Sequence, residues 1–544
     1  MLDAVNSASP PIATRRHYGV ASCLLLFGSI LFSYLSIRNN ALGLLSDSYI
    51  YLLLADYFSP FYRLDRDFAE YLLTNYAYPP GFPILLGVLG GGSERFPLNY
   101  AIDAIFLAAT ISAFYFWLLA QGMKSFFALG FCVLFAMLPG TLISSLGIFS
   151  EHPYMLLIGL AMLLVSMKPT LKRLLLAAAL IGLAALIRTV GIAAILAFMV
   201  WIFANRRVIK LGQPAKVAVL ILAIAPTVFW GVIKSISGYS TSYTESLVAG
   251  NIAKTIENLI HQVLINGRAF SQHFSALLSG EASNTQIAVA ALMIFVATGL
   301  LVRLKGKHFD AYYVTIYLSV IFVWPYPDHF ARFIFVILPY LLFYAFAAFQ
   351  LILACALPGA KKLLPEKIAS LLFLLAIVAL AYPASTLMLH EVVINSNSEL
   401  VDYVRTPMWH LDRTGTRKAE KIGHLASILE SLERVRTHTP EDACVSSPEP
   451  HFVHFFARRR STKPASKQAG DELFEQQLVT CPYVFMMAVA STPPSGYPPM
   501  YPFYRIQQRM RVLDAEFFED RTKSGTVRSM LSEVVESKMR HEQQ

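Results

Sequence analysis

The sequence ARFIFVILPYLLFYAFAAFQLI, residues 331–352, carries one charged side chain, Arg332, in 22 residues. About 20 predominantly apolar residues are enough to cross a bilayer as a helix. Comparable apolar runs recur along the chain, with lysine and arginine mainly between them. The pattern predicts eleven spans, near residues 18–36, 97–120, 125–139, 150–167, 172–187, 189–204, 216–235, 285–302, 309–324, 331–352 and 367–387.

The composition excludes an ordinary soluble protein. Of the 544 residues, 56% are hydrophobic and only 15% are charged, against about 25% charged in an average soluble domain. The formal net charge of +10 fits cytoplasmic loops that touch anionic lipid, so we expect membrane lipids and not nucleic acid as partners. No small-residue cleavage site follows the first apolar run, which therefore reads as a retained span.

Charge asymmetry orients the spans. With the amino terminus in the cytoplasm, the basic clusters of 168–173, 206–216, 303–307 and 361–367 all lie inside, and many of the acidic residues between spans lie outside. An odd number of spans then places the carboxy terminus outside. The sequence predicts a multi-pass protein of the cytoplasmic membrane with an extracytoplasmic tail.

The chain divides by composition into a transmembrane domain, residues 1–389, and a polar domain, residues 390–544. Two long outer loops cover 37–96 and 236–284. In the first, SDSYIYLLLADYF is too short to span and suits a helix in the interface, and YPPGFPILLGVLGGG suits a re-entrant or interfacial piece. The opening of the second, SGYSTSYTES, is polar.

The polar domain has ordinary helix and strand signals and predicts a small α/β domain. We expect helices in AEKIGHLASILESLERVRTH, HFVHFFARRR and the closing KSGTVRSMLSEVVESKMRHEQQ, strands in ACVSS and PYVFMMAV, and a loop in TPPSGYPPMYP. Cys444 and Cys481 could pair in an oxidising compartment, and the sequence leaves both states open.

Ionisable residues are costly at membrane depth, so a cluster of them indicates function. Here they gather at the outer ends of different predicted spans: Asp47, Glu151 with His152, Arg188, and Asp328 with His329 and Arg332. If these ends converge, they build one site.

The same residues carry a resemblance. SDSYIYLLLA with Asp47, YPPGFPILL, SEHPYMLL, LIRTVGIA and DHFARFIFVILPYLLF resemble, in order and spacing, the polyprenyl-phosphate-sugar-dependent glycosyltransferases of the C-type fold. The nearest branch is glycosyltransferase family 39 and its relatives, with protein O-mannosyltransferases and aminoarabinose transferases. Many members show a second acidic residue directly after the first-loop aspartate. This chain has Ser48 there, which leaves metal use open.

The resemblance implies an α-helical polytopic enzyme that transfers a sugar from a polyprenyl-phosphate donor, with inversion, to a glycan, lipid or protein acceptor at the outer face. Asp47 would be the general base. Arg332 and Arg188 would hold the donor phosphate, for which guanidinium groups are suited. Glu151, Tyr78, Asp328 and His329 could orient substrate. No cofactor is implied with certainty, although a divalent cation is a candidate.

Structural explanations exist for several of these residues. Asp47 could cap the interfacial helix, Arg188 could extend to the headgroups, and Arg332 could pair locally with Asp328. A helix start with Pro153 in its first turn explains His152. Rival functions are a transporter or flippase of lipid-linked sugars, a glycan polymerase or ligase, and a non-catalytic assembly protein. The sequence shows no internal repeat of the kind that many transporters carry.

Overall fold

The structure is a computed structural model that describes residues 16–37, 46–61, 66–75, 78–145, 147–209, 211–237, 252–280, 286–324, 330–356, 363–394, 431–463, 471–487, 510–517 and 527–535. Its helices before residue 395 are α1 (Arg16–Ile37), α2 (Ser46–Phe58), α3 (Arg66–Asn75), α4 (Gly81–Val88), α5 (Phe96–Ala120), α6 (Ser125–Met137), α7 (Pro139–Ser144), α8 (Glu151–Ser166), α9 (Leu171–Ile187), α10 (Ile192–Ala204), α11 (Gln213–Ile236), α12 (Ile252–Ser279), α13 (Gln286–Lys305), α14 (Phe309–Phe322), α15 (Phe330–Ala356) and α16 (Leu363–Ile394).

The expected helical membrane architecture is confirmed. Every predicted span coincides with a helix, namely α1, α5, α6, α8 to α11 and α13 to α16. Within the described ranges, five helices are long and apolar enough to cross a membrane by length and composition: α5, α11, α13, α15 and part of α16. The figure of eleven crossings stays a prediction.

The two long loops that the sequence predicts on the outer side contain helices. The peptide SDSYIYLLLADYF forms α2 from its first residue to its last, and YPPGFPILLGVLGGG contains the 8-residue α4, which is too short to cross a bilayer. The sequence analysis did not predict α12, a helix of 28 residues in the second loop. Its buried Asn266 donates from Nδ2 to the carbonyl oxygens of Phe322 (2.9 Å) and Trp324 (2.8 Å), which satisfies carbonyls at the end of α14.

The carboxy-terminal part contains a five-stranded sheet of order β2-β1-β3-β5-β4. The strands are β1 (Cys444–Ser446), β2 (Arg460–Thr462), β3 (Tyr483–Met487), β4 (Met510–Phe517) and β5 (Val527–Val534), and α17 (Asp471–Thr480) precedes β3. β1 pairs in parallel with β2 and β3, whereas β5 pairs antiparallel with β3 and β4. The α/β prediction is confirmed.

One local prediction in this domain was wrong, and another is confirmed only in part. The closing segment, predicted as a helix, contains β5, because it is bordered on both sides by partner strands whose pairing overrides helical spacing. HFVHFFARRR is helical only to Ala457, since Arg458 adopts a left-handed conformation with φ 54° and Arg460 begins β2. The predicted TPPSGYPPMYP loop lies outside the described residues, and the AEKIGHLASILESLERVRTH helix is described only over 431–438.

The chain forms two compact units. The first comprises residues 1–39, 73–85 and 97–396, and the second comprises 40–72, 86–96 and 397–544. Helix α2 of the first outer loop thus belongs to the same unit as the carboxy-terminal sheet. In that second unit Cys444, the first residue of β1, forms a disulfide with Cys481, which lies just before β3.

Candidate functional site

In the first unit, two arginine side chains from two helix ends converge on one carboxylate at the start of a third helix. Glu151, the first residue of α8, is 1% exposed. Its Oε1 forms an ion pair with Nη1 of Arg188 at 2.7 Å and accepts from Nε of Arg332 at 2.6 Å. Nη2 of Arg332 also donates to Oε2 at 3.3 Å. Of the side chains that the sequence predicts at outer helix ends, Glu151, Arg188 and Arg332 therefore meet.

Arg188 is aimed by the way α9 ends. Its backbone is extended, with φ −141° and ψ 134°, and a 3-10 turn over Thr189–Gly191 follows. A Cβ at Gly191 would lie 2.5 Å from the Cα of Ala185, so the chain can turn this tightly only with glycine there. Nη1 of Arg188 also donates to Oγ of Ser150 at 2.9 Å. The structure thus turns Arg188 inward to α8, which differs from an extension to the headgroups.

Arg332 lies in the first turn of α15, and its guanidinium lies over the ring of Phe149, with Cζ 5.3 Å from the ring centroid. Arg188 lies in the same way over Phe333, at 5.6 Å. Both guanidinium groups therefore have a carboxylate at their edge and an aromatic ring at their face, which suits cation–π attraction. Their side chains are each 11% exposed, so water screens their charges weakly.

His152 is completely buried and its Nδ1 lies 2.6 Å from Oδ2 of Asp103 in α5. A helix start explains Pro153 but not this pairing, so the structural reason for His152 is its contact with Asp103. The sequence analysis did not single out Asp103, although a carboxylate inside an apolar run is itself a signal.

The remaining predicted residues of this unit are Tyr78, Asp328 and His329. Tyr78 precedes α4, whose first residue, Gly81, packs so closely on the last turn of α9 that a Cβ would lie 2.5 Å from the carbonyl oxygen of Leu186. Asp328 and His329 lie outside the described residues.

Asp47 belongs to the second unit, where it is half-buried in the first turn of α2. The ring of Tyr49 packs edge-on against Phe452, Phe455 and Phe456 of the turn before β2, with centroids 4.6–5.3 Å apart. The carboxy-terminal domain thereby packs against the start of α2. This brings Glu449 and His451 into the electrostatic range of Asp47.

Glu449 and His451 are both buried, with His451 Nδ1 3.6 Å from Glu449 Oε2. Burial raises the pKa of Glu449 to about 7, and the positive charge of Lys463 opposes this rise while the charge of Asp47 adds to it. Burial lowers the pKa of His451 to about 3, against the effect of Asp47. The second unit thus holds a cluster of titratable groups around Asp47 that the sequence analysis did not identify.

The described residues contain no group of three or more His, Cys, Asp or Glu side chains that could hold a metal ion. Arg458 and Arg459, which lie just before β2, have separate structural contacts. Arg459 is buried and donates from Nη2 to the carbonyl oxygens of Arg436 (2.6 Å) and Thr439 (2.9 Å), and Arg458 pairs with Glu94 at 3.0 Å.

The sequence matches no protein-family model and no curated protein. The structure is similar to that of the archaeal oligosaccharyltransferase AglB from Archaeoglobus fulgidus in complex with an inhibitory peptide and a dolichol-phosphate: 15% identity, 87% of this chain and 70% of that chain covered, TM-score 0.49. It is also similar to ArnT from Cupriavidus metallidurans in the apo state, at 12% identity, with 94% and 97% of the two chains covered and a TM-score of 0.47. ArnT bound to undecaprenyl phosphate matches at 13% identity, with 96% and 98% covered and a TM-score of 0.44. These likenesses assign no activity to this chain.

Proposed function

We propose that this chain is an integral membrane glycosyltransferase that takes a sugar from a polyprenyl-phosphate donor at the outer face of the cytoplasmic membrane. The observation that carries the proposal is the convergence of Arg188 and Arg332 on the buried carboxylate of Glu151. Guanidinium forks hold phosphate oxygens bidentately and keep their charge at every physiological pH. Two of them fixed at helix ends suit the phosphate of a lipid whose chain stays in the bilayer.

The chemistry needs these cations most when the sugar leaves. As the bond from the anomeric carbon to the phosphate oxygen breaks, negative charge grows on the departing polyprenyl phosphate. Donors that are already oriented stabilise such a charge without reorganising. Because Arg188 and Arg332 are held by Glu151, Ser150 and two aromatic rings, we assign them to the leaving phosphate.

Asp47 is the proposed general base. A phosphate is a good leaving group, so the acceptor hydroxyl needs a base more than the leaving oxygen needs an acid. Asp47 lies in the first turn of α2, in the same unit as the buried Glu449 and His451, whose pKa values its charge affects. The expected product has inverted configuration at the anomeric carbon.

Mass spectrometry of lipids, glycans and envelope proteins from cells with and without the gene tests the proposal. Without the gene, we expect one sugar to be missing from one of these classes and its polyprenyl-phosphate donor to accumulate. The wild-type gene should reverse both changes, and the Asp47→Asn gene should reverse neither. A gene carrying Glu433→Gln, which changes an exposed carboxylate, is the control and should reverse both changes as the wild-type gene does. Accumulation of the donor on the inner face alone would favour a flippase instead.

A further inference from the structure

Asp103 is a carboxylate inside α5, one of the five helices that are long and apolar enough to cross a membrane. It is 2% exposed, and its partner His152 is not exposed at all. Burying such a pair costs free energy that its hydrogen bonds must offset, and ionisable residues at membrane depth commonly mark function. The proposed transfer reaction assigns no chemical step to either residue.

The two oxygens of Asp103 hold both ends of one short segment. Oδ2 lies 2.6 Å from Nδ1 of His152, and Oδ1 accepts from the backbone N–H of Phe149 at 3.2 Å. Two helical turns further along α5, Oγ1 of Thr110 donates to the carbonyl oxygen of His152 at 3.0 Å. Helix α5 therefore fixes residues 149–152 through three hydrogen bonds.

This segment contacts both arginines. The ring of Phe149 lies under Arg332, Ser150 accepts from Arg188, and Glu151 pairs with both guanidinium groups. The position of the guanidinium groups is thus set by a segment whose own position is set by Asp103.

We propose that Asp103 and His152 are positioning residues that hold Phe149, Ser150 and Glu151 in place so that Arg188 and Arg332 meet the donor phosphate in a fixed geometry. The inference rests on the proposed function of the two arginines. The ring of His152 packs edge-on against Phe149 and Phe335, with centroids 6.0 Å away, so the Nδ1 bond to Asp103 fixes the ring plane between them. A carboxylate that accepts this bond also selects the tautomer with the proton on Nδ1.

Asp103→Asn tests this role. The amide of asparagine can replace only one of the two acceptor oxygens of Asp103, because its other terminal atom is a nitrogen that donates. Either the bond to His152 or the bond to the N–H of Phe149 is therefore lost. A shift of the segment by about 1 Å would cost on the order of 10²-fold in turnover, since catalysis depends steeply on geometry. The loss should fall on kcat more than on KM, because the phosphate gains charge in the transition state.

A double-mutant cycle separates positioning from mere stability. Purified proteins in nanodiscs carry Asp103→Asn, Arg332→Ala or both, and kcat is measured with a membrane extract that contains the polyprenyl-phosphate-linked sugars of the source cells. We expect Asp103→Asn to cost far less in the Arg332→Ala background than alone, because there is no longer a placed guanidinium to lose. Asp310→Asn is the matched control: Asp310 is equally buried and paired with Arg303 at 2.6 Å, away from these contacts, and its cost should be the same in both backgrounds.

The outcomes distinguish this inference from the proposed function. If Arg332→Ala keeps wild-type turnover, the phosphate role of Arg332 fails, and the positioning role fails with it. If Arg332→Ala loses turnover but the cost of Asp103→Asn is the same in both backgrounds, as for Asp310→Asn, Asp103 is only structural and the proposed function stands.

Discussion

Nε of Arg332 donates to Oε1 of Glu151 at 2.6 Å across 181 positions of sequence. The bond ties the first turn of α15 to the first residue of α8, and Arg188 reaches the same oxygen from the end of α9. Burial of one carboxylate with two guanidinium groups is favourable only while the partners stay together. The contact therefore makes predictions about stability as well as catalysis.

Glu151→Gln should destabilise the protein by about 3–5 kcal/mol, because removing one partner leaves buried charge without its counter-ion. Added undecaprenyl phosphate should restore part of the loss, since a ligand that binds only the folded state stabilises it and its phosphate can replace the carboxylate. Thermal unfolding in nanodiscs, with and without the lipid, measures both effects.

The control for that experiment is Glu433→Gln, which removes an exposed carboxylate paired with Arg436 and should change the unfolding temperature little. Equal stabilisation of Glu151→Gln and wild type by the lipid would argue against an anion site at this carboxylate.

Arg332→Lys keeps the charge and loses the planar fork, so we expect kcat to fall by about 10²-fold with similar amounts of folded protein, and Arg332→Ala to be worse. Steady-state kinetics with Arg436→Lys as the exposed control measure the change. Asp328→Asn should have a much smaller effect. If instead Asp328→Asn equals Arg332→Ala and the double variant is no worse, a local pair with Asp328 explains Arg332 and the phosphate role is lost.

Glu449 gives the stability of the second unit a dependence on pH. Its pKa in the folded protein, about 7, lies above the ordinary 4.5, so its stabilising contribution is present below pH 4.5 and is lost as the pH rises through 7. His451, with its pKa lowered to about 3, acts in the opposite sense: its contribution is present above pH 6.5 and is lost on acidification. Lys463, Tyr71 and Asp47 share these surroundings.

Glu449→Gln isolates the carboxyl group. We expect the unfolding temperature of the variant minus that of wild type to be larger at pH 8.5 than at pH 5. The reason is that at pH 8.5 the neutral amide avoids the buried charge that Glu449 carries in wild type. Scanning calorimetry at the two pH values measures the difference. A temperature difference between variant and wild type that does not change with pH would contradict a raised pKa at Glu449.

The predicted orientation places the disulfide of Cys444 and Cys481 outside the cytoplasm, where disulfides persist. A membrane-impermeant thiol reagent, applied to intact spheroplasts after reduction, should label these cysteines. An enzyme reporter that is active only in the cytoplasm, fused after residue 400, should be inactive. Activity of that fusion would overturn the orientation and the outer location of Asp47 with it.

The sequence predicted the helices of the apolar runs well because a single property, the length of the apolar run, marks them. It missed α12 because IENLIHQVLINGRAF mixes polar and apolar residues and so lacks the continuous apolar run that marks the other helices. The polar opening of the loop also suggested an irregular segment. The strand β5 was predicted as a helix because its local sequence has helical spacing. Its conformation is decided instead by pairing with β3 and β4, which the local sequence does not show.

The candidate site divides in the same way. Glu151, Arg188 and Arg332 could be selected from the sequence because each is an ionisable residue at the outer end of an apolar run, and the structure brings them together. Asp103 carried a visible signal, a carboxylate within the 97–120 run. Glu449 carried none, since its proximity to Asp47 arises only when chain segments about 400 residues apart pack together.

The measurement that tests the central claim most directly is consumption of a lipid-linked sugar by the purified protein. Wild type and Asp47→Asn are reconstituted with lipid extract and envelope acceptors from cells that lack the gene, and polyprenyl phosphates are followed by mass spectrometry. We predict that wild type converts one glycosylated polyprenyl phosphate to free polyprenyl phosphate, and that Asp47→Asn is slower by about 10² to 10⁴-fold, the usual cost of losing a general base. No consumption of any polyprenyl-phosphate sugar by folded wild-type protein, or equal consumption by the variant, would contradict the account.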